Sequence, residues 1–463
     1  MMRARCLALC AALVGAGGVA CQGGARPVAK NDKNDPRSEQ APAPAAIPAL
    51  PPSSVASGEP EDPPPRPLRR CFPDRPAWEE GAVADLLDRA GRLFDAEDFE
   101  GALACSEEAA RQAPRSIEAH HDRAAALLHL GKMEEGRDAL AMALALDPDD
   151  TETLEASADL YINQLPASAD RSAIGLEHAR RAFRRALAHD RARAARLSLL
   201  EGQALIDLGR SEEAVHRLST ALSLAPHLDA AQYEKGVALF ELCRFAEARR
   251  AFERVATTSS DRAHALYHLG LIEERQDRMR EAENHFAEAT ERDPIAFPRS
   301  PVVSAEDFAA RVRRIVAELP DDLRADLGKT HLETADLPAL DDLIAEKPPL
   351  SPTILGLFRG LPIGFDAEPD THTAPVARAS NKGRRAASTA TKAQAAVNGT
   401  GSSTPGAAQC GPVDRAIVLY RRNLLRSVHD VAALDEAIRR TLLHEIGHLR
   451  GEDDGSLRDR GLE

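Results

Sequence analysis

The residues with the clearest chemistry stand together in TLLHEIGHLRGEDD, residues 441–454. His444 and His448 are four apart, so on a helix both imidazoles project from one face and can reach the same ion. Glu445 follows the first of them, where a carboxylate can take a proton from an activated water. Leu442, Leu443, Ile446 and Leu449 supply the buried sides of the same helix. Gly451, three residues past His448, marks where that helix stops if the chain is to turn back, because glycine enters the left-handed conformation without strain. Asp454, ten residues past His444, is then placed to add a third donor. HExGHxxGxxD thus offers a metal two nitrogens, one oxygen and an open fourth position, the donor set of a catalytic zinc. The neighbouring Asp453 is expected to point away, toward solvent or toward a partner that orients a ligand. His264 and His268 are also four apart, but no acid follows His264 and the pair suits a groove face better than an ion.

The elements that carry this motif belong to a chain of 463 residues, more than one ordinary domain. Only 4% of its residues are aromatic and 29% are charged, with Ala and Leu dominant, the composition of helical repeats. Between about Trp78 and Phe297 the sequence recurs with a period of 34: Gly202, Gly236 and Gly270 keep that interval, as do Pro114 and Pro148. One unit has its small residues at Gly202, Ala214 and Ala221 and closes at Pro226; the last has Gly270, Ala282, Phe286, Ala289 and Pro294. Period and residue types resemble the tetratricopeptide repeat, with six units over residues 78–297. Small residues let paired helices approach, and Leu and Phe fill the space between them. The third unit is interrupted by NQLPASADRSAIG, which places its second helix at His178–His189, and the fifth carries Val255 where Ala is usual. The resemblance implies a groove that docks a peptide or protein partner.

From about Pro301 to Glu463 the chain resembles the small bacterial zincin-like metallopeptidases. Besides the HExxHxxGxxD motif, the resemblance rests on EDFAARVRRIVAELPDDLRADL (residues 306–327) as an opening helix and SPTILGLFRGLPIG (351–364) as the next strand. AIVLYRR, Ala416–Arg422, is a further strand, followed by a helix from near Asp430. It implies a small α+β domain over residues 298–463, with Zn2+ bound by His444, His448 and Asp454 and Glu445 as catalytic acid/base. The expected fold is multidomain, an all-α tetratricopeptide solenoid followed by this zincin-like domain. Residues 372–411, rich in Ala, Thr, Ser and Gly, read as a disordered insertion. Tyr420 and Arg421 lie near enough to be weighed as oxyanion donors, but strand residues beside a site are more often structural. The rival reading is a scaffold whose zinc merely fastens the C-terminal domain. Glu445 speaks against it, since structural zinc needs no adjacent carboxylate and usually has four protein ligands.

At the N-terminus, Arg3 and Arg5 precede an apolar run from Cys6 to Ala20, too short to span a bilayer and suited to an export signal. Gly18-Val19-Ala20-Cys21 resembles a bacterial lipobox with Gly18 in place of the usual Leu, which implies a lipid on Cys21 and a membrane-anchored place in the cell envelope. With Gln22 rather than Asp next, the outer membrane is expected where the source has two. Residues 22–77, loaded with Pro, Ala, Ser and Gly, read as an extended tether. Of seven cysteines, Cys71, Cys105, Cys243 and Cys410 lie beyond the signal, without a CxxC pair or dense framework. A net charge of −14, with no basic field, excludes a general nucleic-acid binder.

Overall fold

The computed structural model describes Cys71 and residues 82–258, 261–364 and 415–462. The signal with Cys21, the tether apart from Cys71, and the insertion 372–411 lie outside the described residues. Two compact units divide after Ala231. Among the described residues no helix is long and apolar enough to cross a membrane.

The first unit is built of antiparallel helix pairs: α1 (Val83–Asp95) with α2 (Phe99–Gln112), α3 (Ile117–His129) with α4 (Met133–Leu146), α5 (Thr151–Asp159) with α6 (Ala169–Ala186), and α7 (Arg191–Asp207) with α8 (Ser211–Leu224). Short polar residues start these helices where backbone N–H groups would otherwise lack acceptors. Asp98, Ser116, Asp150, Ser168 and Asp190 each accept from the backbone N–H three residues on. The 34-residue period is a packing period. A Cβ on Gly202 would stand 2.5 Å from Leu218, so the glycine lets α7 and α8 touch; Ala90, Ala124 and Ala158 hold the corresponding places earlier in the unit and are buried. The interrupted third repeat differs from the sequence expectation. After a π-helical turn at Leu160–Gln164 its second helix begins at Ala169, capped by Ser168, and not at His178. Most of the inserted residues are therefore helical, with Gly175 seated against Ile162.

Cys71 is buried and disulfide-bonded to Cys105 of α2, 34 residues on. The bond ties the end of the segment read as a tether to the first repeat, and two widely spaced cysteines carry no sequence signature of such a pairing.

The second unit opens with two more pairs, α9 (Asp229–Glu241) with α10 (Phe245–Thr258) and α11 (Arg262–Glu274) with α12 (Met279–Arg292). Here Gly236 faces Phe252 and Gly270 faces Phe286, each at 2.6 Å from an added Cβ. His268 does not lie on a groove face as its spacing suggested. It is buried, its ring stacked on Phe252 at 4.8 Å and its Nδ1 bonded to the His264 carbonyl at 2.9 Å. Burial holds its pKa down to about 4.

The rest of the unit is α13 (Ala305–Glu318), α14 (Asp321–Leu327), β1 (His331–Ala335), α15 (Leu340–Ala345), β2 (Gly356–Arg359), β3 (Ala416–Tyr420), α16 (Arg421–Arg426), α17 (Val431–Leu449) and α18 (Asp454–Asp459). The sheet order is β1-β3-β2. β1 runs parallel to β3 with His331 opposite Ala416, and β2 runs antiparallel with Gly356 opposite Leu419. Phe308, Val312 and Ile315 of α13, Ile417 and Leu419 of β3, and Ile438, Leu442 and Ile446 of α17 share one core. Two sequence expectations change, and one strand is additional to them. The opening helix breaks at Leu319-Pro320, where proline cannot continue the hydrogen-bond ladder. The strand expected through Arg422 ends at Tyr420, because Arg421 and Arg422 turn into α16 and pair with Asp336. β1, HLETA, is mostly exposed and has no apolar alternation, so it was not legible as a strand.

Candidate metal centre

Helix α17 carries both histidines. Asp430 caps its start by accepting from Ala433 N at 2.9 Å, and Gly451, with φ +85°, ends it. Glu452 N bonds the Gly447 carbonyl at 2.9 Å and Gly451 N bonds that of His448 at 2.9 Å, the paired bonds of a Schellman turn. The chain then reverses into α18, whose buried Leu457 packs on Gly447; a Cβ there would lie 2.3 Å from Leu457. That contact brings Asp454, the first residue of α18, back beside the histidines.

Three donors converge: His448 Nε2 is 3.0 Å from His444 Nε2 and 3.2 Å from Asp454 Oδ1, and His444 Nε2 is 3.9 Å from Asp454 Oδ1. The other ring nitrogens meet backbone carbonyls, His444 Nδ1 at Leu462 O (2.7 Å) and His448 Nδ1 at Glu452 O (3.0 Å). A carbonyl only accepts, so each Nδ1 carries the proton and each Nε2 turns a lone pair inward in the neutral ring. Two lone pairs and a carboxylate oxygen facing one another call for a cation. Tetrahedral zinc with bonds of about 2.0–2.1 Å spaces its ligands by about 3.4 Å, within the span seen here. His444, His448 and Asp454 form the one such group among the described residues.

Asp453 faces elsewhere. Its Oδ1 accepts from Ser456 N at 2.8 Å and caps α18, bonds that hold its pKa below the usual carboxylate range. The end of α17 is held by Arg450, paired with Asp322 and Asp326 of α14, and by Ile363 N bonded to Leu449 O at 2.8 Å.

Glu445 is 5% exposed and packs against β2 at Gly356, where a Cβ would stand 2.8 Å from its Oε1. Burial pushes its pKa up to about 8; the Phe358 N–H, donating to the carboxylate, works the other way, and Asp454 adds to the rise. Tyr420 is buried, and loss of solvation pushes its hydroxyl up to about 12. Arg421 is spent on Asp336 and on the Val303 carbonyl. Arg421 is therefore not free to face a substrate. Sequence reasoning missed the Leu462 and Glu452 carbonyls and the Phe358 N–H, because backbone groups are the same at every residue; only Gly447, between the histidines, hinted at the close packing of α18.

A family model described as zincin-like metallopeptidase matches residues 384–462, and one described as tetratricopeptide repeat matches residues 87–151, 199–262 and 233–296. No curated protein matches the chain. Among solved structures, PilF of Pseudomonas aeruginosa is 14% identical with a TM-score of 0.40, covering 46% of this chain and 92% of its own. PilW, a type IV pilus biogenesis factor, is 17% identical with a TM-score of 0.41, covering 47% and 96%. YrrB, a tetratricopeptide repeat protein, is 17% identical with a TM-score of 0.32, covering 41% and 93%. At such scores they carry no weight beside the family models and the packing. The chain combines a tetratricopeptide array with a small α+β zincin-like domain.

Proposed function

We propose that the protein is a zinc-dependent peptidase whose repeats dock the peptide or protein it acts on, and that it is exported and held in the bacterial cell envelope by a lipid on Cys21. The observation that carries the enzymatic part is the convergence of His444, His448 and Asp454, with both Nδ1 protons committed to backbone carbonyls. When bound, zinc supplies a Lewis acid that polarises a carbonyl and makes water acidic enough to deprotonate near neutral pH. The protein's own part is positional. The Leu462 and Glu452 carbonyls hold each imidazole in the tautomer that presents Nε2. Glu445 takes the proton of the attacking water and returns it to the leaving amine. Burial favours its neutral form most strongly, and the Phe358 N–H opposes that by favouring the charged form.

Purified protein incubated with a peptide library, with and without chelator, tests this. Glu445→Gln should keep stoichiometric zinc while hydrolysis falls by several orders of magnitude. Equal turnover in variant and parent overturns the mechanism and leaves a zinc-fastened scaffold. The matched repeats support docking of a protein partner. The Cys71–Cys105 disulfide supports export, since such bonds persist in oxidising compartments. Detergent partitioning of the parent, lost in Cys21→Ser, tests the anchor; a parent that is wholly soluble and begins elsewhere than Cys21 refutes it.

A further inference from the structure

The second unit contains both the last two repeats and the metal-site domain, and the side chains that join them are concentrated at one place. The first helices of these repeats, α9 and α11, end 33 residues apart at Glu241 and Glu274. Around those ends the side chains turn outward to the C-terminal domain. Glu274, 5% exposed, accepts from Arg422 at 2.7 Å and pairs closely with Arg426, the second and last residues of α16. Arg426 also lies over the Phe286 ring of α12 at 4.9 Å. Arg275 donates to the Pro338 carbonyl at 2.7 Å, and Glu241 accepts from Ser351. On the other side, Arg422 reaches Asp336, at the end of β1, so one guanidinium spans the repeat and the sheet.

We infer that repeats five and six are the docking platform of the metal-site domain, with Glu274 as the receptor for the arginines of α16. Three physical features favour this. A carboxylate this deeply buried needs its cations, because an unpaired charge there is strongly destabilising. Both arginines approach the C-terminal end of α11, where the helix dipole also favours positive charge. And α16 follows β3 directly and precedes the site helix α17 by a short turn, so what holds α16 holds the frame of the site. The inference concerns how the chain holds itself together and stands whether or not the domain hydrolyses peptides.

Hydrogen exchange on the full chain tests it without reference to activity. In the parent, the amides of residues 421–426 and of 274–279 should open together, with the same protection. Glu274→Gln should speed exchange in 421–426 by about tenfold or more, and so should Arg426→Gln; the double variant should be no faster than the faster single, as expected of coupled partners. Glu288→Gln, which removes an ion pair with Arg262 and Arg292 inside the last repeat, should leave 421–426 unchanged. Unchanged exchange in Glu274→Gln, or additive effects in the double variant, overturns the inference. Should the variants fail to fold, independent opening of the two segments in the parent does so equally.

Discussion

Replacing Gly447 by Ala tests whether helix packing, rather than residue identity alone, makes the candidate metal site. The new methyl would stand 2.3 Å from Leu457 Cδ2, 3.2 Å from Cδ1 and 3.3 Å from Cγ. Turning the leucine about its last bond cannot relieve this, because both methyls and the branch carbon are inside ordinary contact and the side chain is fully buried. Leu457 must retreat by about 1 Å, at a cost typical of overpacking, about 1–3 kcal/mol. It sits three residues after Asp454 in a helix of six residues, so α18 moves with it and draws the carboxylate from the histidines. Part of that cost falls on the folded domain and part on metal binding. With each 1.4 kcal/mol worth tenfold, a half share of that cost should lower zinc affinity by about 2–10-fold. Competition with a chelating dye measures it. Gly455→Ala, whose methyl would meet only Asp453 Oδ1 at 3.4 Å, is the control and should bind zinc as the parent does. Adding Leu457→Ala to Gly447→Ala should recover much of the affinity by making room. If Gly447→Ala alone binds zinc like the parent, the idea that Leu457 positions Asp454 is wrong.

Three further outcomes are expected. Asp454→Ala should lose zinc on dialysis, whereas Asp453→Ala should retain near-stoichiometric metal with at most a moderate loss of affinity from the uncapped α18; metal analysis of both variants decides it, and the reverse result would make Asp453 the ligand. His268, held near pKa 4 against an ordinary 6.5, binds its proton more tightly when the chain is unfolded, so its contribution is fully present above about pH 6.5 and fades as pH falls toward 4. That window is worth about 3 kcal/mol, and urea melts of His268→Phe should show a flatter acid limb than the parent; parallel limbs would remove the histidine from the explanation. Cys105→Ser should lower the stability of the first unit by about 3–4 kcal/mol, as expected for opening a loop of this length, and a melt unchanged by the substitution would argue that the bond to Cys71 contributes nothing.

Residue types and intervals were enough to pick out His444, His448 and Asp454 as side chains that could converge and to show that the helical repeats recur every 34 residues. A helix turns 100° per residue, so His444 and His448 must share a face wherever the helix lies. A glycine every 34 residues announces a contact that recurs with the repeat, as Gly236 on Phe252 and Gly270 on Phe286 show. Gly451 likewise announced the end of α17 through the one backbone region that favours it. What only the tertiary structure decided involves groups without sequence identity or partners distant along the chain. The carbonyls of Leu462 and Glu452 choose the histidine tautomers. The Phe358 N–H and Gly356 enclose Glu445 from a strand some 90 residues earlier. β1 exists because β3 offers it a free edge, not because HLETA prefers a strand. And Glu274, on its own sequence merely an acid at a helix end, becomes a buried anchor only once α16 brings two arginines to it.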